Sequence, residues 1–291
     1  MSVGYEDALR VAVHASKLAG SFLRGEFHQL DSSHRSGSGK SVDTQAERII
    51  RQELTTRCPN WGFLGEETGL AAPRTGDGPV HLWLVDPNDG TEAFLRGFRS
   101  SAVSIALLRD GVLVLGVVFA FAAPDDDGDL FAWAEGCGPL TRNGQAIQRE
   151  ALSTGLGPQT VVLVSHDADT NSAANQKCVA PGRFQKVPGI AYRLALVAAG
   201  EGDAGVSLSG PGAWDYAAGH ALLRSVGGTL VDQSRRPVTY SSDGRSSTVY
   251  CFGGASDLVH ELCARPWREV KAGRKDVDTP WSWCNWSRDA A

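Results

Sequence analysis

The stretch Leu84–Phe94 reads LVDPNDGTEAF, and its interpretation decides that of the whole chain. The apolar run Leu82, Trp83, Leu84 and Val85 has the make-up of a buried strand, yet it runs straight into Asp86, Pro87, Asn88 and Asp89. Two carboxylates three residues apart repel each other, and burying them is costly unless something positive lies between. The stretch itself contains no lysine or arginine, so the positive group has to come from elsewhere.

Other acids stand at the ends of apolar runs. Glu66 follows the short strand-like segment WGFLG, and Asp215 opens a helical stretch after Trp214. Carboxylates converging with no matching cation in their own motifs call for a hard divalent ion, and oxygen donors select magnesium. Pro87 fixes the backbone between Asp86 and Asp89, and the main-chain carbonyl of Asn88 can add an oxygen. Gly90 lets a phosphate approach the main chain, and Thr91 opens a helix whose free N–H groups favour an anion. A metal and a helix start in one turn point to phosphate chemistry.

Bulk properties agree with a soluble enzyme. The chain has 291 residues, 42% hydrophobic and 21% charged, enough for one large or two modest domains. A net charge of −5 gives no basic face for nucleic acid. No run approaches the roughly 18 apolar residues of a membrane span. At the N-terminus, Ala8, Val11, Ala15, Leu18 and Phe22 step as an amphipathic helix interrupted by Arg10, His14 and Lys17, unlike a signal peptide. The six cysteines form no CxxC pair and no metal spacing, which suits free thiols in a reducing cytoplasm.

Along the chain, a polar loop from Asp31 to Asp43 separates the first helix from a second carrying Ala46, Ile49, Ile50 and Leu54. Residues 101–122 read as a hairpin turning at Asp110-Gly111, followed by a strand at Leu130–Ala134 and a turn at Asn143-Gly144. After Gly155 come strands at Val161–Val164, Ala204–Val206 and Val249–Phe252, and helices at Ile190–Ala199, after Trp214, and near Ser256–Ala264. Strands and helices intermix, so the fold class is α/β in layers. We expect an N-terminal α+β half over residues 1–150 carrying most metal ligands. A C-terminal α/β half over 151–265 closes the site, and a tail over 266–291 holds Trp267, Trp281, Trp283 and Trp286.

Three stretches imitate functional motifs. GSGKS at Gly37–Ser41 lacks the P-loop's first glycine, His34 standing in its place. DDDGD at Asp125–Asp129 lacks a calcium loop's distal glutamate and reads as a hairpin tip. GPGAWD lacks the dinucleotide glycine spacing.

GEE (Gly65–Glu67), DPNDGT (Asp86–Thr91) and WDYAAG (Trp214–Gly219) resemble, in order and separation, the three signature segments of the inositol monophosphatase superfamily of magnesium-dependent phosphomonoesterases. The similarity runs from about residue 5 to 265. It implies an α-β-α-β-α layered sandwich. It also implies that Glu66, Asp86, Asp89, Asp215 and the Asn88 carbonyl hold two or three Mg2+ ions, with Mn2+ as a substitute. Thr91, with Glu66, would position the attacking water, and Asp43 of DTQAE matches the family's helix-opening acid. Asn88 departs from the usual apolar residue, but only its main chain is required there. Lys40 stands where a threonine is expected, and the upstream catalytic-loop lysine of some members has no match, which bears on the third metal. Hydrolysis needs no phosphoenzyme on this scheme, and the amides after Asp89 hold the phosphate.

The ester itself is less legible. VLVSHDADT (Val162–Thr170) and Arg193, in a helix that begins near Ala191, resemble the 3′(2′),5′-bisphosphate nucleotidase branch. Glu92 and Ala93 replace that branch's Lys-Glu pair, and Glu92 would repel an extra phosphate. The inositol branch's glutamate before Trp-Asp is absent from VSLSGPGAWD. The candidate substrate contacts are therefore Asp89, Gly90, Thr91, Ala191, Arg193 and Asp215. The candidate esters are inositol, sugar or cyclitol phosphates, nucleotide 3′-phosphates, and others such as histidinol phosphate. A non-catalytic metal-binding member is the rival class. We expect a cytoplasmic homodimer acting on a small phosphate ester, with no nucleic-acid or membrane partner.

Overall fold

The computed structural model describes residues 4–29, 39–74, 78–149, 151–246 and 248–272. Helices α1 (Tyr5–Gln29) and α2 (Gly39–Arg57) lie together on one face of the first sheet. The buried line of α1 is Ala8, Ala12, Ala15, Ala19 and Leu23, whereas Leu18 is exposed. The core face is thus turned toward small residues and away from the bulkier set read from the spacing, because small side chains let the helix sit close to its neighbours. Helix α2 starts earlier than the polar loop suggested, at Gly39, so Asp43 lies a full turn inside it. Val42, Asp43, Ala46, Glu47, Ile50 and Leu54 share one buried face at helical spacing, which extends the helix backward. Residues 31–38 of that loop lie outside the described residues.

The first sheet has the order β2-β1-β3-β4-β5-β6-β7-β8. Its strands are β1 (Gly62–Gly65), β2 (Gly69–Ala71), β3 (His81–Asp89), β4 (Ala102–Arg109), β5 (Val112–Ala120), β6 (Asp129–Ala134), β7 (Thr141–Arg142) and β8 (Gln145–Ala146). A single helical turn, α3 (Thr91–Leu95), links β3 to β4. Asp110 and Gly111 take φ values of 50° and 80°, the paired positive angles that suit a tight hairpin, and Asn143 and Gly144 repeat them.

Strand β3 answers the puzzle of its two acids. Asp86 pairs with Ser104 and Asp89 with Ala102, so three steps on β3 match two on β4. A regular strand would send residues 86 and 89 to opposite faces. The extra residue of this bulge brings both carboxylates to the face that carries Leu82 and Leu84. Pro87, which has no N–H to offer the ladder, fits within the bulge.

The second sheet has the order β10-β9-β11-β13-β12, from β9 (Val161–Val164), β10 (Arg183–Lys186), β11 (Ala204–Ser207), β12 (Thr229–Asp232) and β13 (Cys251–Gly254). Strand β13 begins two residues later than its composition suggested. Helices α5 (Ile190–Ala199) and α6 (Ala213–Ser225) fill the space between the sheets. Helices α4 (Ser172–Val179), α7 (Ser256–Cys263) and α8 (Trp267–Ala272) cover the far side. The layers are α-β-α-β-α. Neither α4 nor β10 was legible in the sequence; in β10 only Phe184 is even half-buried, so no alternation marks it. Trp267 is buried, donates from Nε1 to the Leu262 carbonyl at 2.7 Å and meets Phe252. Trp281, Trp283 and Trp286 lie outside the described residues. Among the described residues no helix is long and apolar enough to cross a membrane.

Close packing of α5 on α6 depends on Gly219. A Cβ there would lie 2.7 Å from Leu194 Cβ and 2.8 Å from the Ala191 carbonyl. Alanine ordinarily favours a helix over glycine by about 1 kcal/mol. Here the added methyl meets unyielding backbone, and overpacking costs about 1–3 kcal/mol. Gly219→Ala should therefore lower stability in chemical denaturation; a more stable variant contradicts this packing.

Candidate active site

Three carboxylates from distant parts of the chain meet at one edge of the layers. Glu66 leaves the end of β1, Asp86 lies in β3, and Asp215 lies in the first turn of α6. One oxygen from each lies within 4.8 Å of the others. Asp86 forms the floor at 2% exposed, and Glu66 stands at the mouth, exposed as a residue but with its carboxyl turned toward Asp86. The charges acting on Asp86 are those of Glu66, Asp215 and Asp89, all of one sign. Burial, reinforced by that repulsion, raises Asp86 and Asp215 well above the usual carboxylate range. Glu66 is pushed up to about 7, first by burial and then by Asp43, Glu67 and Asp89.

Backbone amides hold these acids without neutralising them. Asn88 N donates to Asp86 Oδ1 at 2.7 Å, and Gly212 N donates to Asp215 Oδ2 at 2.9 Å. Asp89 sits beside the cluster, with Oδ2 accepting from Ala191 N at 2.6 Å at the start of α5. Gly189 makes that approach possible, since a Cβ there would fall 2.8 Å from Asp89 Oδ2. Burial raises Asp89 to about 6, against the pull of the Ala191 and Ile190 amides and of Arg193.

Asp43, 3% exposed, reaches the site from α2. Its Oδ1 accepts from Asn88 Nδ2 at 2.9 Å and its Oδ2 from the Thr91 hydroxyl at 2.8 Å. Asp43 is thus the side-chain partner of Thr91, because α2 lies over the end of β3. Thr91 Oγ1 also lies 3.1 Å from the Asn88 carbonyl, so one proton faces two acceptors. That carbonyl, the main-chain ligand implied by the resemblance, already faces Thr91.

Arg193 departs from its expected place. It is 4% exposed, its Nε donates to the Val187 carbonyl at 2.8 Å, and a terminal nitrogen donates to the Val206 carbonyl. The guanidinium is a buried strut and does not line an open substrate pocket. Ala191 is fully buried and contributes its amide to Asp89. Gly90, at φ 100°, caps α3 and exposes Thr91 beside the cluster. At the rim, Glu92 pairs with Arg96 at 3.6 Å, and the His166 and Phe98 rings meet with centroids 5.5 Å apart.

Glu47 is a residue that sequence reasoning missed. It is fully buried and accepts from the amides of Glu67 at 2.8 Å and Thr68 at 2.7 Å. A Cβ at Gly65 would lie 2.3 Å from its carboxyl. It thus pins the turn that presents Glu66. Its only signal in the sequence is its place four residues after Asp43, on the same helix face.

The donor set fits a hard divalent cation. It consists of oxygen alone and carries surplus negative charge, and the buried Asn88 Oδ1 beside it has no hydrogen-bond partner in the structure.

The profile of the inositol monophosphatase family matches residues 5–258. The chain belongs to that family. It is accordingly a phosphoric monoester hydrolase. Among its relatives, the Nus factor SuhB of Xylella fastidiosa is 29% identical over 88% of this chain and 92% of its own length. The inositol-1-monophosphatase of Mesorhizobium japonicum is 33% identical over 77% of this chain and 85% of its own. The crystal structure of the extragenic suppressor protein suhB from Bartonella henselae superposes with a TM-score of 0.67 at 27% identity. That match covers 90% of this chain and 98% of the other.

The raised acids tie stability to pH. Each holds its proton more tightly folded than unfolded, so its contribution is complete below the unfolded value near 4 and is lost as pH rises through the folded one. His220, buried and held down to about 3, acts in the opposite sense, but only below its unfolded value of about 6.5. Between about pH 6.5 and pH 7.5 the metal-free protein should therefore lose melting temperature as Glu66, held at about 7 beside Asp86 and Asp215, ionises, and Asp86→Asn should flatten that slope. A melting temperature in chelator that stays level or rises over this window contradicts the assignment. Glu47→Ala, which strands two amides, should lose on the order of 2–4 kcal/mol in denaturant melts; an unchanged midpoint would show the clamp to be dispensable.

Proposed function

We propose that the chain is a magnesium-dependent phosphomonoesterase acting on a small, singly phosphorylated metabolite such as an inositol, sugar or cyclitol phosphate. The convergence of Glu66, Asp86 and Asp215 within 4.8 Å, beside the Asp43–Thr91 pair, carries this reading. Residues 1–150 supply most of the site and 151–265 close it, bringing Asp215 and the Ala191 amide to the acids of β3.

Glu66, Asp86, Asp89, Asp215 and the Asn88 carbonyl would hold the metal. Magnesium there supplies the positive charge that acidifies a nearby water and offsets the ester's negative oxygens. Thr91 orients the attacking water, accepting a hydrogen bond on Oγ1 while donating its own proton to Asp43 Oδ2. As the water's oxygen attacks phosphorus, its proton passes to Oγ1 and the Thr91 proton passes to Asp43. The N–H groups at the start of α3 point out of the helix and hold phosphate oxygens. The P–O bond to the leaving group breaks on the opposite side, and the departing oxygen takes its proton from solvent water to leave as the alcohol.

The rim favours a single phosphate over a bisphosphate. Glu92, with 77% of its side chain exposed, projects next to Thr91 and occupies Arg96, so a second phosphate meets a carboxylate and no free cation from this pair. The name of the Mesorhizobium relative supports the same class.

Phosphate release from inositol 1-phosphate, histidinol phosphate and a nucleoside 3′,5′-bisphosphate, with and without magnesium, tests the reading. Turnover should require the metal, and kcat/KM should favour the monophosphates by about tenfold or more. Asp89→Asn should lose roughly a thousandfold in kcat while remaining folded. No release from any ester would leave the non-catalytic alternative standing, and preference for the bisphosphate would overturn the substrate class.

A further inference from the structure

Asn88 stands where the resemblance leads one to expect an apolar residue and needs only a main-chain carbonyl. Its side chain nevertheless does something specific. It is 1% exposed, and Nδ2 donates to Asp43 Oδ1 at 2.9 Å. The other end of the same amide, Oδ1, is buried with no hydrogen-bond partner. An unpaired buried carbonyl is unfavourable, and a leucine would fill the space without one. A local rule broken at a site of this kind marks a residue kept for something other than stability.

The geometry shows what it is kept for. The Thr91 hydroxyl has one proton and two acceptors in reach, Asp43 Oδ2 at 2.8 Å and the Asn88 carbonyl at 3.1 Å. Which acceptor it takes depends on where the Asp43 carboxylate is turned. Asn88 holds the far oxygen of that carboxylate and so fixes its rotation with Oδ2 on Thr91. Without the amide, the carboxylate can swing about its Cβ–Cγ bond, and the hydroxyl can turn to the carbonyl. A proton donated there cannot be passed to Asp43 as water attacks.

We propose that the Asn88 side chain is a positioning residue for the Asp43–Thr91 pair, holding the carboxylate in the rotation that receives the Thr91 proton. The inference rests on the role given to that pair above and adds a determinant carried by a side chain of the β3 bulge.

Asn88→Leu tests it, with Asn88→Ala as a second apolar variant should leucine fail to fold. The variant should keep substrate KM within about twofold and lose about tenfold in kcat, the split expected when only an orienting contact is removed. In a Thr91→Val background, where the proton path is already broken, the same change should cost less than about twofold. Crystal structures of wild type and Asn88→Leu provide a readout that needs no turnover. The variant's Asp43 Oδ2 should leave hydrogen-bond distance of Thr91 Oγ1 or occupy two rotations. Full kcat in Asn88→Leu, a penalty that multiplies in the Thr91→Val background, or an unmoved Asp43 would each overturn the inference. If wild type itself turned over no ester, the function proposed above would fall, and the Asp43 rotation would still decide the role of Asn88.

Discussion

Mutual repulsion among carboxylates is the constraint around which this molecule is organised. Oxygens of Glu66, Asp86 and Asp215 lie within 4.8 Å of one another, a concentration of like charge that is costly to gather. The fold meets this chiefly with dipoles, with Arg193 lending a positive charge to Asp89. Amides of Asn88, Gly212 and Ala191 each donate to one of the acids, and two more fix Glu47 beneath the turn that carries Glu66. Dipoles restrain carboxylates but leave their net charge in place. That residual charge is what a hard cation would offset.

The layered architecture supplies the rigidity such a cluster needs. Asp86 and Asp89 share a face only because of the bulge in β3, and the helices facing them are packed too tightly to drift. Gly65 lets the Glu47 carboxyl tuck against β1, and Gly189 lets Asp89 reach the start of α5. Arg193 works from below, tying α5 to the Val187 and Val206 carbonyls. This buried basic side chain thus serves to hold the helix that presents an amide to Asp89. The rim formed by Glu92, Arg96, Phe98 and His166 lies outside this frame.

The sequence alone determined the family, the layered α/β class and the identity of the acids. Those features are local: a strand that ends in Asp86, a proline and glycine that shape the turn, and a helix opening on Asp215 each announce themselves within a few residues. Several strand and helix limits, such as Val161–Val164 and Ile190–Ala199, were readable for the same reason, since buried runs carry their own periodicity. Tertiary structure alone decided which groups share protons and which face the cleft. Thr91 pairs with Asp43 across 48 positions, Glu47 grips amides some 20 positions away, and Arg193 turns inward to β11. Such pairings depend on how α2 crosses β3 and how α5 lies between the sheets, and no spacing along the chain encodes them.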